Sequence, residues 1–303
     1  MRRIALLSIL ISLVSFGLAA ADGMFVPTEQ QWLEGRERAL INEPEQKAVV
    51  FFSKGTEQLI ISPSYDGQAS NFAWIVPVPA RPKVEILKGA IFHELSKLTE
   101  PKRPKFRSEK SAQSLSAPAG VTVLERKTVG AYDVSVLSAT DGQALMKWLK
   151  ANKYHMPDKA IGPMRSYVKQ GWTFVASRIK VPANANGLKT GTLAPLQLTF
   201  KTKQPIYPMK LSSANPTMFR LLVHLVLPSS EIDGKPEHVP IIIPNKPDGQ
   251  GTTWKATASG YFWNRRKYPT LAKLYNGEMQ IYSGSWYTSP NECKYDLTWR
   301  LNK

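Results

Sequence analysis

A run of aromatic and cationic side chains near the C-terminus has the residue types best suited to binding a ligand. Residues 261–268 read YFWNRRKY. Guanidinium groups suit phosphate or carboxylate, and aromatic faces suit sugars or bases. The candidate residues for binding an anion or a polymer are Trp263, Arg265, Arg266, Lys267 and Tyr268. The alternative interpretation is a solvated basic surface without a ligand.

The segment NFAWIVPVP, residues 71–79, offers a different kind of site. Its Phe72, Trp74, Pro77 and Pro79 could form an apolar ligand platform, or a strand edge that receives a strand from another protein. Because proline has no backbone N–H, the end of this strand is expected at a sheet edge or outside the sheet. A tryptophan buried in the core is the alternative that we favour.

The sequence lacks the common signatures of catalysis. It has no Walker-type phosphate loop, dinucleotide fingerprint, HExxH or GxSxG motif. His93 and Glu94 are expected at exposed helix positions, and Ser177–Lys180 matches SxxK inside a predicted strand, where residues three apart face opposite sides. Asp66 and Asp133 are candidates for an acid–base pair. Turn capping and strand-end solvation are the commoner uses of such residues. The alternative function is an exported hydrolase that acts on glycan or peptide through an Asp/Glu pair assembled only in the fold.

The composition indicates a basic globular protein. The 303 residues are 43% hydrophobic and 21% charged, with a net charge of +17 and a pI near 9.8. The single cysteine, Cys293, excludes an internal disulfide, a cysteine-based zinc site and an iron–sulfur cluster. We expect no cofactor and no metal, and the basic charge predicts an anionic partner.

The first 21 residues have the pattern of a secretory signal peptide. Arg2 and Arg3 precede an uncharged apolar run, and three alanines end at Ala21. Cleavage after Ala21, or after Ala19 as the second choice, would leave a periplasmic or extracellular chain without a transmembrane segment, with a net charge of +15 for cleavage after Ala21. The expected partner is then an anionic envelope polymer or another envelope protein, and not a nucleic acid. The alternative to cleavage is an uncleaved anchor helix, for which the apolar run is somewhat short.

The pattern of apolar residues predicts an α+β fold with a mainly antiparallel sheet and three to four helices. An α+β domain is expected over residues 22–205 and a β-rich C-terminal region over 206–303. A flexible linker rich in proline, serine and charge is expected over residues 101–120. Helices are predicted over residues 84–99, after a Thr140 capping box, after Pro157 and over residues 270–275. Strands are predicted over 47–53, 56–65, 71–79, 121–126, 131–138, 172–180, 193–202, 207–211, 217–227, 239–243, 279–287 and 297–301.

Several motifs in order resemble a known family. They are NFAWIVPVP at 71–79, FHELSKLTEP at 92–101, VGAYDV at 129–134 and YPM at 207–209. Together they resemble the bacterial secreted family catalogued as domain of unknown function 2330, over roughly residues 23–211. The resemblance implies a place in the cell envelope and no established activity. The signal peptide, the positive charge and the missing catalytic signatures lead us to expect a non-catalytic, envelope-associated binding or accessory protein.

Overall fold

The computed structural model describes residues 23–27, 29, 43–66, 71–99, 122–129, 132–180, 190–192, 194–232, 238–242, 252–261 and 266–301. The predicted signal peptide, the predicted linker at 101–120 and part of the basic run lie outside these residues. Among the described residues, no helix is long and apolar enough to cross a membrane.

The described chain contains sixteen strands and four α-helices, which confirms the predicted α+β class. The strands are β1 Met24–Pro27, β2 Glu45–Ser53, β3 Thr56–Asp66, β4 Asn71–Val78, β5 Lys83–Ile86, β6 Thr122–Val129, β7 Tyr132–Ser138, β8 Thr173–Lys180, β9 Thr190–Thr192, β10 Leu196–Lys201, β11 Ile206–Tyr207, β12 Phe219–Pro228, β13 His238–Ile242, β14 Thr252–Tyr261, β15 Glu278–Thr288 and β16 Leu297–Trp299. The helices are α1 Ile91–Thr99, α2 Gly142–Ala151, α3 Ile161–Lys169 and α4 Leu271–Leu274. Short 3-10 turns lie at Asp158–Ala160, Lys210–Ala214, Ser229–Glu231 and Pro290–Glu292.

Two sheets form the centre of the molecule. The smaller sheet has the order β1-β4-β8-β7-β6, and all of its strand pairs are antiparallel. The larger sheet has the order β11-β16-β13-β14-β15-β12-β2-β3-β10-β5, with β9 beside β3. Its one parallel pair among the described strands is β12 with β2.

The parallel pair joins the two halves of the chain into one sheet. Strand β12 lies after the predicted boundary at residues 205/206, and β2 lies well before it. The boundary therefore does not separate two sheets, because the C-terminal strands extend the sheet that β2 and β3 begin.

The secondary structure forms four layers. Two helices cover the small sheet, the small sheet packs on the large sheet, and two further helices cover the large sheet. Phe72, Trp74 and Val136 of the small sheet share one apolar core with Leu59 and Val223 of the large sheet. On the outer side of the small sheet, α2 and α3 pack through residues such as Trp148 and Tyr167. On the outer side of the large sheet, a second apolar cluster buries Ile91 and Leu95 of α1 with Leu271 of α4.

The structure divides the predicted helix over residues 84–99 into two elements. Val84 and Ile86 belong to β5, which pairs with β10, and α1 begins only at Ile91. Gly89 between them has φ +140°, a conformation that interrupts both helix and strand and that side chains rarely tolerate. Apolar spacing alone did not reveal this break.

Several further elements differ from the predictions, among them α2, β11 and β14. The cap of α2 is Asp141, whose side chain accepts a hydrogen bond from the Ala144 amide, and not Thr140. The strand predicted over residues 207–211 is only two residues long, because a 3-10 turn begins at Lys210. Strand β14 was not predicted, since its small and polar residues lack the usual apolar alternation.

Candidate functional site

A polar surface crosses three neighbouring strands of the large sheet. Residues opposite each other in paired strands point to the same face, and alternate residues along one strand do so as well. Across β2, β12 and β15, this face has three successive rungs: Glu45–Arg220–Tyr287, Lys47–Leu222–Ser285 and Val49–His224–Ser283. The next rung, Phe51–Val226–Ile281, is apolar and buried. The face therefore changes from core to polar surface along the strands.

Helix α1 converts this polar surface into a groove. Its Ile91 and Leu95 pack on the apolar end of the face, so the helix lies directly beside the polar rungs. The resulting groove has a volume of about 320 Å³. It is lined by Glu45, Lys47, Phe92, His93, Ser96, Arg220 and Leu222.

Two cations share one carboxylate at the open end of the groove. Lys47 Nζ lies 2.7 Å from Glu45 Oε2, and Arg220 Nη1 donates to Glu45 Oε1 at 2.8 Å. Arg220 Nε also donates to Ser285 Oγ at 3.1 Å. The three charged side chains are 22–40% exposed, so solvent and ligands reach them. Two positive charges against one negative charge leave this end net positive.

A buried imidazole forms the polar floor beneath this charge cluster. His224 is 1% exposed, and its Nδ1 lies 2.6 Å from Ser283 Oγ. Burial, followed by the positive charge of Lys47, lowers the pKa of His224 to about 4. The ring is therefore neutral at neutral pH, and its hydrogen bond fixes the position of the Ser283 hydroxyl.

An exposed aromatic ring borders the same cluster. Tyr287 is 64% exposed and lies directly opposite Arg220 in the β12–β15 pair. It is one of two large hydrophobic side chains, with Met218, that the described part of the chain leaves exposed. Cations that attract a carboxylate therefore lie beside a ring face on which a sugar can stack.

Glu94 is buried, which corrects the prediction of an exposed position. It is 3% exposed and accepts hydrogen bonds from the Thr270 amide at 2.9 and 3.0 Å and the Leu271 amide at 2.9 Å. The carboxylate thus caps the start of α4 and attaches that helix to α1. The neighbouring His93 is half-buried and lines the groove.

The predicted basic run is divided by the structure. Trp263 and Arg265 lie outside the described residues, while Arg266 and Lys267 are exposed. Tyr268 is 8% exposed and packs in the cluster beneath α1, with Lys267 Nζ 5.3 Å from its ring centroid. Tyr268 therefore serves the core, and the ring face that the prediction assigned to a ligand is covered.

The predicted apolar platform lies inside the small sheet. Phe72 and Trp74 are fully buried, Pro77 is buried, and Pro79 is half-buried. Strand β4 pairs with β8 along its whole length and with β1 from Phe72 to Ile75. A ligand platform needs exposed ring faces, and Phe72 and Trp74 do not provide them. Their role in the core agrees with the favoured alternative.

The other candidate groups for chemistry lie apart from one another. Asp66 ends β3 of the large sheet, with its side chain outside the described set, while Asp133 lies in β7 of the small sheet opposite Arg178. Ser177 is buried in β8, as predicted for a strand, and its Oγ has no hydrogen-bond partner among the described residues. Within the described residues, no group of three or more His, Cys, Asp or Glu is arranged to bind a metal ion.

Comparison with known families gives the relationship of the chain. The model of a family described as "uncharacterized protein conserved in bacteria (DUF2330)" matches residues 19–238. The chain belongs to this family. The match confirms the predicted resemblance and includes β2, α1 and β12, which supply the residues that line the groove. Strand β15, with Tyr287 beside the charge cluster, lies outside the matched residues.

Other comparisons add no functional assignment. No curated protein matches the chain. The crystal structure of baculovirus P35 is similar at a TM-score of 0.35 and 11% identity, over 85% of this chain and 91% of that chain.

The groove residues were not identified from the sequence, although a weak signal was present. Arg220 and His224 interrupt an otherwise apolar run. They are four residues apart, with Leu222 midway between them. In a strand, this spacing puts all three on one face. The pairing of β12 with β2, which lies 175 residues earlier at the Arg220–Glu45 contact, could not be deduced from the sequence.

Proposed function

We propose that this protein is an exported, non-catalytic binding protein that holds a carboxylate-bearing envelope glycan in the groove beside α1. The observation that supports this most strongly is the Lys47–Glu45–Arg220 cluster next to the exposed ring of Tyr287. Sugar rings stack on aromatic faces, and sugar acids add the carboxylates that the cations attract.

The charge cluster is suited to exchange of partners. Glu45 keeps Lys47 and Arg220 in place while the groove is empty, and a ligand carboxylate adds to the net positive end. Among described residues, Arg220 Nη2 has no acceptor, so part of its donor fork is available. Binding of this kind is expected to weaken at high ionic strength, because the charges are partly exposed.

The alternative of a hydrolase has less support. Hydrolysis of a glycosidic bond by the common mechanism needs two carboxyl groups on opposite sides of the bond. Glu45 is the one carboxylate that lines the groove among the described residues, and it is already paired with two cations. Asp66 and Asp133, the predicted acid–base pair, belong to different sheets.

Export is part of the proposal and is supported by the sequence of the first 21 residues. The basic n-region, the apolar run and the terminal alanines agree with secretion, and the net charge of +17 suits an anionic envelope. Fractionation of cells with N-terminal sequencing of the recovered protein tests this. We expect extracytoplasmic protein that begins near residue 22, and cytosolic protein that retains residues 1–21 would contradict it.

Binding to defined glycans tests the groove. We expect the chain from residue 22 onward, which includes every described element, to bind oligogalacturonate and not a neutral glucan of the same length. K47M/R220M should reduce the affinity at least about 100-fold, because it removes two charge-assisted contacts that are each worth roughly 1.5–3 kcal/mol. Y287A should reduce it by about 3- to 10-fold through loss of stacking.

A matched lysine provides the control for this experiment. Lys83 is exposed on β5 and forms an ion pair with Glu85 at 2.9 Å, like that of Lys47 with Glu45 but outside the groove. K83M should leave glycan binding unchanged. Equal loss in K83M and K47M/R220M, or equal binding of neutral and acidic glycans, would contradict the proposed site.

A further inference from the structure

A second cationic surface covers the opposite side of the molecule. Helices α2 and α3 lie on the outer face of the small sheet, whereas the groove lies on the outer face of the large sheet. Residues 142–171, which form this helical layer, are all described. Its exposed cations are Lys147, Lys150, Lys153, Lys159, Arg165 and Lys169.

Among the described residues, these cations form no ion pairs with acids. No carboxylate of a described residue forms an ion pair with any of the six. Asp158 is the one acid between residues 142 and 171, and Asp141 just before them caps α2. The layer is therefore strongly positive, in contrast to the cations of the groove, which share Glu45.

The two helices form one continuous surface. A side chain at Gly142 would approach Arg165 Cγ to 2.5 Å, so the start of α2 passes close over α3. Lys147 and Lys150 lie on one side of α2, and Arg165 and Lys169 lie one turn apart on α3. The buried residues Trp148, Leu149 and Tyr167 point toward the core, which leaves the charged side for solvent.

A recess of about 560 Å³ adjoins this surface at the end of α2. It is lined by Glu29, Met146, Lys147, Lys150, Tyr154, His155 and Met156. Two of the six cations thus border a hollow that is large enough for a small polar group, and Glu29 is the one acid among the described residues that line it.

The character of this surface distinguishes among anionic partners. Glycans and single-stranded nucleic acids are commonly bound with the help of exposed aromatic rings. The exposed large hydrophobic side chains of the described residues are Met218 and Tyr287, and neither belongs to this layer. Five lysines and one arginine without exposed rings suit a planar anionic surface, where binding depends on the number of charges.

We propose that the α2–α3 layer docks the protein on the surface of an anionic phospholipid bilayer. This docking would direct the groove of the large sheet away from the membrane, because the two surfaces lie on opposite sides of the sheets. The cations act as point charges near the headgroup phosphates, with Lys147 and Lys150 at the mouth of the recess. The inference does not depend on the proposed glycan, since it uses different residues and a different partner.

Co-sedimentation with vesicles tests the docking. The chain from residue 22 onward should bind vesicles containing about 30% phosphatidylglycerol and not vesicles of phosphatidylcholine alone. K147Q/K150Q/K153Q and K159Q/R165Q/K169Q should each lower the partition coefficient by about 5-fold for each cation removed, or roughly 100-fold for each triple variant.

Two further variants separate this inference from its alternatives. K54Q/K203Q/K273Q removes three exposed lysines outside the helical layer and should retain the wild-type partition coefficient. K47M/R220M, which alters only the groove, should bind vesicles normally even if glycan binding fails. Thermal unfolding checks that every variant remains folded.

Three results would overturn the docking surface. One is equal binding to neutral and anionic vesicles, and another is the same loss of binding in the control triple variant. The third is failure to bind either kind of vesicle while soluble polyphosphate is bound through the same six residues. That last result would assign the surface to a soluble polyanion in place of a membrane.

Discussion

At the scale of single residues, His224 makes the fold sensitive to acid. The pKa of its ring is lowered to about 4 by burial and by Lys47, whereas the ordinary value is 6.5. Between these values, the unfolded chain binds a proton that the folded chain does not. The contribution of His224 to stability is therefore complete above pH 6.5 and is lost as the pH falls toward 4, by roughly 3 kcal/mol in total.

Urea unfolding at several pH values measures this effect. The free energy of unfolding of H224N should decline less between pH 6.5 and 4 than that of the wild type. S283A retains the imidazole and should keep the wild-type decline, although it loses the hydrogen bond. Parallel curves for H224N and the wild type would contradict the assigned role of His224.

Glu57 is a buried acid whose effect has the opposite sign. It is fully buried, Oε2 accepts a hydrogen bond from the Ile206 amide at 2.8 Å, and Oε1 has no partner among the described residues. Burial raises the pKa of Glu57 well above 4.5, with the Ile206 bond as the opposing influence. The fold favours the neutral acid. The contribution of Glu57 to the stability of the protein is therefore complete below pH 4.5 and decreases as the pH rises.

Replacement of Glu57 by glutamine should remove this alkaline penalty. We expect E57Q to exceed the wild type in unfolding free energy at pH 8 by at least about 1 kcal/mol, because a neutral amide is less costly to bury than a carboxylate. The difference should shrink as the pH is lowered to 5. A difference that does not change with pH would show that ionisation of Glu57 is not its cause.

At the scale of elements, Glu94 connects the two short helices on the large sheet. Its carboxylate accepts from the Thr270 and Leu271 amides, and Thr270 Oγ1 accepts from the Ala90 amide at 3.1 Å. Each helix start is thus satisfied by the other helix. The groove wall therefore depends on α4, although α4 contributes no lining residue.

Removal of this connection should destabilise both helices. E94A leaves two buried amides without acceptors and is expected to lower the unfolding free energy by about 2–4 kcal/mol. K97A, on the exposed side of the same helix, should change it by less than about 0.5 kcal/mol. Thermal or urea unfolding compares the two variants, and equal effects would show that the cap is not important.

Local sequence patterns predicted most elements but not their partners. Lys54–Gly55 separates β2 from β3 as expected for a hairpin, and the helix after Pro157 ends before Gly171, which has φ +72°. By contrast, the division between β5 and α1 depends on pairing with β10, a distant strand. Period and turn residues are local properties, whereas strand pairing depends on tertiary packing.

The same reason explains why the site was missed. The predicted basic run could be found from the sequence because its residues lie close together in the chain. These residues include Trp263, Arg265, Arg266 and Lys267. The groove cations are separated by more than 170 residues and meet only through the β2–β12 pair. His93 was noticed from its sequence, but its position on the groove depends on how α1 packs.

At the scale of the whole molecule, the parallel β2–β12 pair and a buried polar cluster unite the chain. Asp296 accepts hydrogen bonds from the Tyr167 hydroxyl and the Met209 amide, and it pairs with Lys210 Nζ at 3.0 Å. This cluster attaches the C-terminal segment to α3. The sheets and helices thereby form a single framework, with the groove on one side and the cationic helical layer on the other.

The described residues present positive charge on two different surfaces. On the groove side, Lys47 and Arg220 share Glu45 beside Tyr287, an arrangement that suits recognition of a particular group. On the helical side, six cations have no paired carboxylate among described residues, an arrangement that suits a uniformly charged surface. The net charge alone could not distinguish these two forms of binding.

The central claim is that a carboxylate-bearing glycan binds in the groove beside α1, and backbone NMR titration with oligogalacturonate tests it most directly. We predict chemical-shift changes at Glu45–Lys47, Phe92–Ser96, Arg220–Leu222 and Ser285–Tyr287, and little change over residues 142–171. Neutral glucan should cause no such changes. Changes confined to the helical layer, or no change in the groove at saturating oligogalacturonate, would contradict the account.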